Sequence, residues 1–314
     1  MHSQIRPVPP YDFTLSAAIF SPGDPRVRIF RDGILFQPVS AGNQAFLVEI
    51  TGSGSIGKPV LHLRIQSGES ASIPRSEAAE VRRVVGHILN ADLDLRNFYR
   101  DVSSDPVLSR IVTSLVGLKP PRTLTIFEAL VESILEQQIA IQVARRLVQQ
   151  IIRKFGREVT VGSDIFFLFP EPEVLAKASD EEYRACGMSV RKGEYIRDIA
   201  TRIIEGSLDL NRYLVFHDPV RIIDELCELR GVGKWTAEFT VLRSLGQMGT
   251  FPADDLGIRR VIGKYYRHGQ IIDSREARKI AELWGPWKGL AAFYLLTAES
   301  RNIPQVSRVL SFPG

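Results

Sequence analysis

The chain has 314 residues, of which 44% are hydrophobic and 24% are charged, so it can form two or three globular units and is neither a disordered chain nor a fibre. Its formal charge of +4 permits a polyanionic partner without requiring one, and two cysteines are too few for a disulfide framework, a cysteine-ligated zinc site or an iron–sulfur cluster. No apolar run approaches the roughly 20 residues that span a membrane, and the N-terminus lacks the apolar core of a signal peptide. We therefore expect a monomeric cytoplasmic protein without a membrane partner.

The first third of the chain carries the pattern of an antiparallel sheet. Asp32-Gly33 is a two-residue hairpin signal, and a glycine-rich loop over 52–57 separates two segments in which apolar and polar residues alternate. Residues 77–89 predict a helix that covers one face of this sheet. The predicted strands are 26–30, 33–39, 45–50 and 60–66. Together these elements predict an α+β domain over residues 1–98.

Beyond residue 98 the strand signals stop and short helices follow one another. Asp105-Pro106 predicts a helix start, because aspartate caps free amides and proline suits the first turn. A break at 119–121 precedes a periodic apolar face over 125–155, which ends at Gly156. Further helices are predicted over 179–188, 192–205, 218–229, 234–245, 256–266 and 275–284. The last two thirds are therefore predicted to be a bundle of short helices.

The most informative stretch joins two of these helices through residues 230–233 (RGVG). The link allows only a tight hairpin, and the second helix starts directly after Gly233, so its free N–H groups and its dipole point at whatever lies there. Lys234 adds a positive charge, and a phosphodiester suits this site because backbone amides hold DNA without reading its sequence. The same pattern is also typical of an ordinary glycine-containing turn in a bundle, and both interpretations stay open.

Several segments, taken together and in their order along the chain, resemble the helix-hairpin-helix DNA glycosylase superfamily. LRGVGKWTAEFTVLR (229–243) is similar to its helix-hairpin-helix, and FPADDLGIRR (251–260) to the segment with its catalytic aspartate. Four further segments resemble one branch, the 3-methyladenine DNA glycosylase II (alkylated-base) family. They are PPYDFTLSA at 9–17 and the segments at 126–148, 169–200 and 284–296.

The resemblance covers most of residues 8–300 and implies a fold. An N-terminal antiparallel sheet domain would precede an all-α glycosylase fold of two helical subdomains. The subdomains would comprise 99–121 with 255–314, and 122–254, which contains the helix-hairpin-helix at about 219–245.

Two aspartates stand at the start of the predicted helix 256–266. Aspartate is a common helix cap, and capping alone explains both Asp254 and Asp255. A fixed carboxylate can also stabilise the oxocarbenium-like sugar that forms when an N-glycosidic bond breaks, and can position or deprotonate a water. The resemblance implies that Asp255 is this catalytic carboxylate. It also implies a monofunctional glycosylase, because members that cleave the DNA backbone carry a Schiff-base lysine where this chain has Trp235.

A base that is flipped out of the duplex needs a stacking pocket. Trp235 and Phe239 lie four residues apart on one helix face, and the resemblance places both at the pocket together with Tyr294. Electron-rich rings favour a cationic, N-alkylated purine, although each ring also suits a hydrophobic core. The resemblance puts Leu296 and Ile19 where the family often has aromatic residues, which leaves the range of substrates open.

The remaining implied contacts concern DNA and a cation. Gln137 and Gln138 lie where the family inserts a wedge into the minor groove, although a solvated helix end is the alternative. The other implied DNA-binding residues are Gly231, Gly233, Lys234 and Thr236. The resemblance implies no organic cofactor, but a structural Na⁺ or K⁺ at the hairpin. Its ligands would be the main-chain carbonyls of Cys227, Leu229 and Val232.

The resemblance thus implies an enzyme that flips out and excises alkylated purines of the 3-methyladenine type from double-stranded DNA containing a damaged base. Two alternatives stay open. One is a glycosylase for oxidised or deaminated bases, and the other is a non-catalytic protein that uses the hairpin only as a phosphate clamp. Asp255 favours an enzyme, because a clamp needs no carboxylate near a polyanion.

Overall fold

The N-terminal part of the protein is a five-stranded antiparallel sheet with the strand order β1-β5-β4-β3-β2. The computed structural model describes residues 1–42, 44–68, 72–216 and 218–304. Within these ranges the strands of the sheet are β1 (His2–Ile5), β2 (Ile29–Arg31), β3 (Ile34–Ala41), β4 (Gln44–Ser55) and β5 (Lys58–Ser67).

The predicted hairpin at Asp32-Gly33 is confirmed. Both residues have positive φ, 51° and 77°, as a two-residue turn that matches the strand twist requires. The second hairpin is longer than predicted, because β4 and β5 stay paired up to Ser55 opposite Lys58 and only two residues form the turn. β1, a four-residue strand at the edge of the sheet, was not predicted from the sequence.

Fourteen α-helices lie in the described residues. Those of the first half are α1 (Phe13–Ala17), α2 (Arg75–Ile88), α3 (Arg96–Asp101), α4 (Pro106–Ser114), α5 (Ile126–Glu136), α6 (Ile141–Phe155) and α7 (Pro172–Lys177). Those of the second half are α8 (Asp180–Ala185), α9 (Val190–Ile204), α10 (Pro219–Cys227), α11 (Lys234–Leu245), α12 (Leu256–Tyr266), α13 (Ser274–Ala281) and α14 (Lys288–Ser300). None of these helices is long and apolar enough to cross a membrane.

The expectation that strands end with the first third is wrong. Between α6 and α7 the chain forms a hairpin of β6 (Glu158–Val161) and β7 (Asp164–Phe167). Val159 and Phe166 of this hairpin pack against Ala45 and Leu47, which β4 presents on the face of the sheet away from α2. Each strand has only four residues, too few for a clear alternation of apolar and polar side chains.

The helical part has two hydrophobic cores, which place the site between them. One core is built by α5 to α11, and the other by α3, α4 and α12 to α14 together with the loop before α12. α11 belongs to both, because Val241 lies in the first core and Phe239 packs against the second. The apolar face predicted over 125–155 is interrupted after Glu136, where a turn separates α5 from α6.

Candidate active site

The two glycines of the hairpin between α10 and α11 have different roles. Gly231 has φ 84°, and a Cβ there would lie 2.2 Å from the ring of Tyr195, so both the backbone conformation and the packing require glycine. Gly233 has φ −91°, and a Cβ there would meet no atom within 4 Å. Gly231 therefore shapes the hairpin, whereas Gly233 leaves the start of α11 open to solvent.

The N-terminus of α11 is free to accept an external anion. Gly233 is its N-cap residue and supplies no side-chain hydrogen bond, so the first-turn amides have no cap. Lys234, the first residue of the helix, is exposed. Uncapped amides, the helix dipole and a lysine together make a favourable phosphate site.

Thr236 and Gln137 serve the hairpin itself. Gln137 Nε2 donates to the carbonyl oxygen of Gly231 and to Thr236 Oγ1, both at 2.9 Å. The side chain of Thr236 is 2% exposed and its hydroxyl is already bonded, so a contact with DNA would have to come from its main-chain amide in the first turn of α11, and this contact stays a prediction. The amide nitrogen of Gln137 is likewise engaged inside the protein, and it braces the hairpin against the end of α5.

Gln138 lies on the surface beside this brace. It is exposed with φ 58°, an uncommon backbone conformation for a residue other than glycine. Lys192 fixes the preceding turn, because its Nζ donates to the carbonyls of Leu135 (2.8 Å) and Gln137 (2.9 Å). This role of Lys192 has no local signal in the sequence, since the lysine reaches α5 only through the tertiary fold.

The carboxylate of Asp255 is held by two hydrogen bonds. As N-cap of α12 it accepts the amide of Ile258 at Oδ1 (2.8 Å), while Oδ2 accepts the indole Nε1–H of Trp235 (3.1 Å). Capping and a chemical role are therefore compatible, because the cap fixes one oxygen and orients the other toward Trp235. Asp254 differs, since its side chain is 54% exposed and lies 3.9 Å from Arg278.

A cavity of about 830 Å³ lies between the two helical cores; Asp255 and Trp235 are not among its lining residues, but each contacts one that is, Ile258 and Phe239 respectively. A Cβ on Gly257 would lie 3.1 Å from Asp255 Oδ1 and 3.7 Å from the Leu296 side chain, which lines the cavity. Trp235 contacts the ring of Phe239 edge-on, with 4.9 Å between ring centroids. The apolar residues of the lining include Leu15, Ile19, Phe20, Phe239, Phe293 and Leu296.

Tyr294 is not a pocket residue, and that prediction is wrong. Its side chain is fully buried, and its hydroxyl donates to the carbonyl of Leu118 at 2.8 Å and meets the hydroxyl of Tyr99 at 3.0 Å. On the same helix Leu296 faces the cavity. Since α14 is apolar on nearly all sides around these residues, its sequence does not indicate which face borders the cavity.

Charged residues of the cavity lining were not predicted from the sequence either. Arg243 forms an ion pair with Glu136 (2.8 Å), and its guanidinium lies 4.6 Å from the centroid of the Phe239 ring. Glu136 belongs to a row of glutamates along α5, spaced four residues apart. The row consists of Glu128, Glu132 and Glu136, and all three line the cavity. The spacing is visible in the sequence, but only the fold shows that the row faces a cavity.

The proposed cation ligands at the hairpin are chemically suitable, because main-chain carbonyl oxygens are hard donors. The carbonyl of Leu229 accepts the amide of Val232 at 3.0 Å, which uses one of its two lone pairs. The cation therefore stays a prediction.

Arg278 of α13 holds the loop that carries Asp255. It donates to the carbonyl of Phe251 (3.2 Å) and to Glu238 of α11 (3.1 Å), whose side chain is 4% exposed. Burial raises the pKa of Glu238, and Arg278 opposes that rise. The arginine thus connects the helix of Trp235 to the loop of Asp255.

We expect Arg278→Met to lower the free energy of unfolding by about 2 kcal/mol, because it leaves the Glu238 carboxylate buried without its partner. The partial exposure of Arg278 keeps the loss below that of a fully buried pair. Urea denaturation of Arg278→Met and of the double variant with Glu238→Gln measures the effect. The double variant should regain part of the loss, and equal stability of the two variants would contradict this account.

Comparison with known proteins gives consistent results. The family described as "HhH-GPD superfamily base excision DNA repair protein" matches residues 131–286. A DNA-3-methyladenine glycosylase of Bacillus subtilis is 28% identical over 229 residues, 72% of this chain and 75% of that protein. The structure of 3-methyladenine DNA glycosylase from Archaeoglobus fulgidus is similar with a TM-score of 0.83 at 26% identity, over 96% of this chain and 99% of that chain.

A further similar structure contains DNA. It is the Schizosaccharomyces pombe 3-methyladenine DNA glycosylase in complex with abasic DNA, with a TM-score of 0.56 at 25% identity, over 65% of this chain and 97% of that chain.

Proposed function

Because the chain belongs to the HhH-GPD superfamily of base excision DNA repair proteins, we propose that it is a DNA glycosylase that excises alkylated purines, of the 3-methyladenine type, from double-stranded DNA. The observation that carries this proposal is the Asp255 carboxylate, fixed by the α12 amide and the Trp235 indole, next to Ile258 and Phe239 in the wall of a cavity large enough for a base. A protein that only clamped phosphate would have no use for an oriented carboxylate and a cavity beside it.

In this proposal Asp255 acts on the sugar. As the glycosidic bond lengthens, positive charge develops on the sugar ring, and the negative charge of the carboxylate stabilises it. The same carboxylate positions the water that completes hydrolysis or accepts its proton. An N-alkylated purine already carries a positive charge and leaves readily, so the mechanism requires no strong general acid.

The DNA would be held at the opening of this cavity. The α11 amides with Lys234 bind a backbone phosphate, and Gln138, on its exposed turn, fills the space that the flipped base leaves. The complex of the fission-yeast relative with abasic DNA supports DNA as the ligand.

Release of free bases tests the function. Duplex DNA treated with a methylating agent is incubated with the protein, and the released bases are separated and identified. We expect 3-methyladenine among the products, and release of oxidised or deaminated bases alone would contradict the proposed substrate class.

We also propose that the enzyme leaves an intact abasic strand. Trp235 occupies the position that a Schiff-base lysine would need, and its indole nitrogen hydrogen-bonds to Asp255 instead of reacting with the sugar. Borohydride added during turnover should therefore trap no covalent complex between protein and DNA. The variant Trp235→Lys, which restores an amine at this position, is the informative comparison. A trapped complex with the wild-type protein at neutral pH would contradict a monofunctional mechanism.

A further inference from the structure

The middle glutamate of the α5 row has a different environment from its neighbours. Glu136 is paired with Arg243 at 2.8 Å, and Glu128 lies 3.8 Å from Arg28 and also accepts the amide of Leu124. Glu132 lies between them, one helical turn from each, and forms no hydrogen bond or ion pair with the described part of the chain. Its carboxyl group therefore lines the cavity with its hydrogen-bonding capacity unused.

Three features besides the glutamate row indicate that a flipped base occupies this cavity. Its volume of about 830 Å³ is ample for a purine, the Phe239 ring forms part of its wall, and the Asp255 carboxylate caps the helix whose Ile258 lines it. The cavity has aliphatic side chains at Ile19 and Leu296, so fewer rings are available to recognise a cation by stacking. A carboxylate on the wall would add to the recognition of charge by the remaining rings, which are Phe20, Phe239 and Phe293.

Glu132 is suited to detect a positive charge. Burial raises its pKa to about 8, and the carboxylates of Glu128 and Glu136 add to the rise, whereas Arg243 and Arg28 oppose it. The other charged residues of the cavity lining are Asp24, Arg122, Arg145, Arg260, Glu299 and Arg301. In the empty cavity the group is therefore mostly a neutral acid at pH 7. A cationic base makes the ionised form favourable again, whereas a neutral base does not.

We propose that Glu132 is the specificity-determining residue of the site, and that its carboxylate pairs with the positively charged edge of an N-alkylated base. On entry of the cationic base the carboxyl group releases its proton to solvent and accepts a hydrogen bond from the amino group or ring of the base. Neutral bases gain no such pairing. This inference rests on the proposed function and adds to it the basis of selectivity for charged lesions.

The pairing predicts how excision depends on pH. The form of Glu132 that pairs with a cationic base is the carboxylate, and its fraction increases as the pH rises through about 8. The charge of the N-alkylated base does not change over this range, because it is fixed by the alkyl group. Between pH 7 and pH 9 the ionised fraction increases about tenfold, and kcat/KM for a cationic lesion should follow it. The pKa of Glu128 is also raised by burial, but its carboxylate is engaged by the Leu124 amide and lies beside Arg28, so we expect the pH dependence to come from Glu132.

The test measures release of 3-methyladenine from methylated duplex DNA between pH 6 and pH 9, corrected for release without enzyme. We expect the wild type to gain about tenfold from pH 7 to pH 9, whereas Glu132→Gln stays flat and lies at least about tenfold below the wild type at pH 9. Glu299→Gln is the matched control, because Glu299 also lines the cavity but is paired with Arg260 at 2.6 Å. This control should retain the wild-type profile.

Different results overturn different parts of the proposal. If Glu132→Gln and the wild type share rates and pH profile, Glu132 is no specificity residue, although the proposed function stands. If wild-type activity instead falls through pH 8 and Glu132→Gln removes that fall, the group donates a proton to the leaving base, and recognition of charge is wrong. If Glu132→Gln is unfolded by circular dichroism, Glu132→Asp, which keeps the titrating group, must show the rise with pH. If the wild type releases no alkylated base at any pH, the proposed function itself fails.

Discussion

Asp255→Asn should reduce base release by about 1000-fold or more, equivalent to about 4 kcal/mol of transition-state stabilisation. Asparagine is also a good helix cap, so its side-chain oxygen can still accept the Ile258 amide, and α12 should keep its start. What disappears is the negative charge beside the sugar. Single-turnover release of 3-methyladenine measures the effect without interference from product release.

The neighbouring aspartate is the matched control for this variant. Asp254 is 54% exposed, and its 3.9 Å contact with Arg278 is long, so Asp254→Asn should retain activity within about threefold. Affinity for a duplex with an abasic analogue should stay unchanged or improve in Asp255→Asn, because a negative charge near the DNA is removed. A large loss in Asp254→Asn with a small one in Asp255→Asn would assign the chemistry to Asp254.

The parts of the structure that the sequence predicted well depend on residues close together in the chain. Asp32-Gly33 forms its turn because of its own two φ angles, and Asp255 caps α12 through an amide three residues away. The hairpin before Lys234 was also predicted from adjacent residues, because its two glycines and the start of α11 lie next to one another in the chain. Turns and helix caps can be predicted from the sequence because the residues that form them are close together in the chain.

The parts that were missed depend on contacts between distant segments. Lys192 reaches the end of α5 across more than 50 residues, and Arg278 reaches Glu238 across 40. Both look like ordinary surface charges on amphipathic helices. The hydrophobic pattern also fails to show which face of α14 borders the cavity. Around Tyr294 the helix is apolar on so many sides that its buried face and its cavity-lining face look alike.

The hairpin contributes the second large effect, and its two glycines separate folding from DNA binding. Gly231→Ala would place a Cβ 2.2 Å from the ring of Tyr195 at a residue with φ 84°, so the variant should lose about 2–4 kcal/mol of stability. Its DNA binding would then weaken because the hairpin is distorted. The thermal midpoint of unfolding distinguishes this cause, since it should fall in Gly231→Ala.

Gly233→Leu is the informative variant, because it changes the surface and leaves the fold intact. A Cβ at this position meets nothing within 4 Å, and φ −91° suits any residue, so the thermal midpoint should change little. The leucine side chain would occupy the space in which a phosphate meets the α11 amides, and affinity should fall about 30-fold, equivalent to about 2 kcal/mol of charge-assisted hydrogen bonding. The loss should be equal for damaged and undamaged duplex, because this contact reads no base.

Gly233→Ala is the control for side-chain size: alanine is smaller than leucine, so we expect a smaller loss of DNA affinity. The salt dependence gives an independent measure, because the loss of one phosphate contact lowers the slope of log affinity against log salt concentration by about 0.9. Fluorescence titration of a labelled abasic-analogue duplex at two salt concentrations determines both quantities. Asp255→Asn should shift affinity in the opposite direction in the same assay. If Gly233→Leu binds like the wild type with an unchanged slope, the hairpin is only a turn between helices, and the phosphate contacts lie on another surface of the protein.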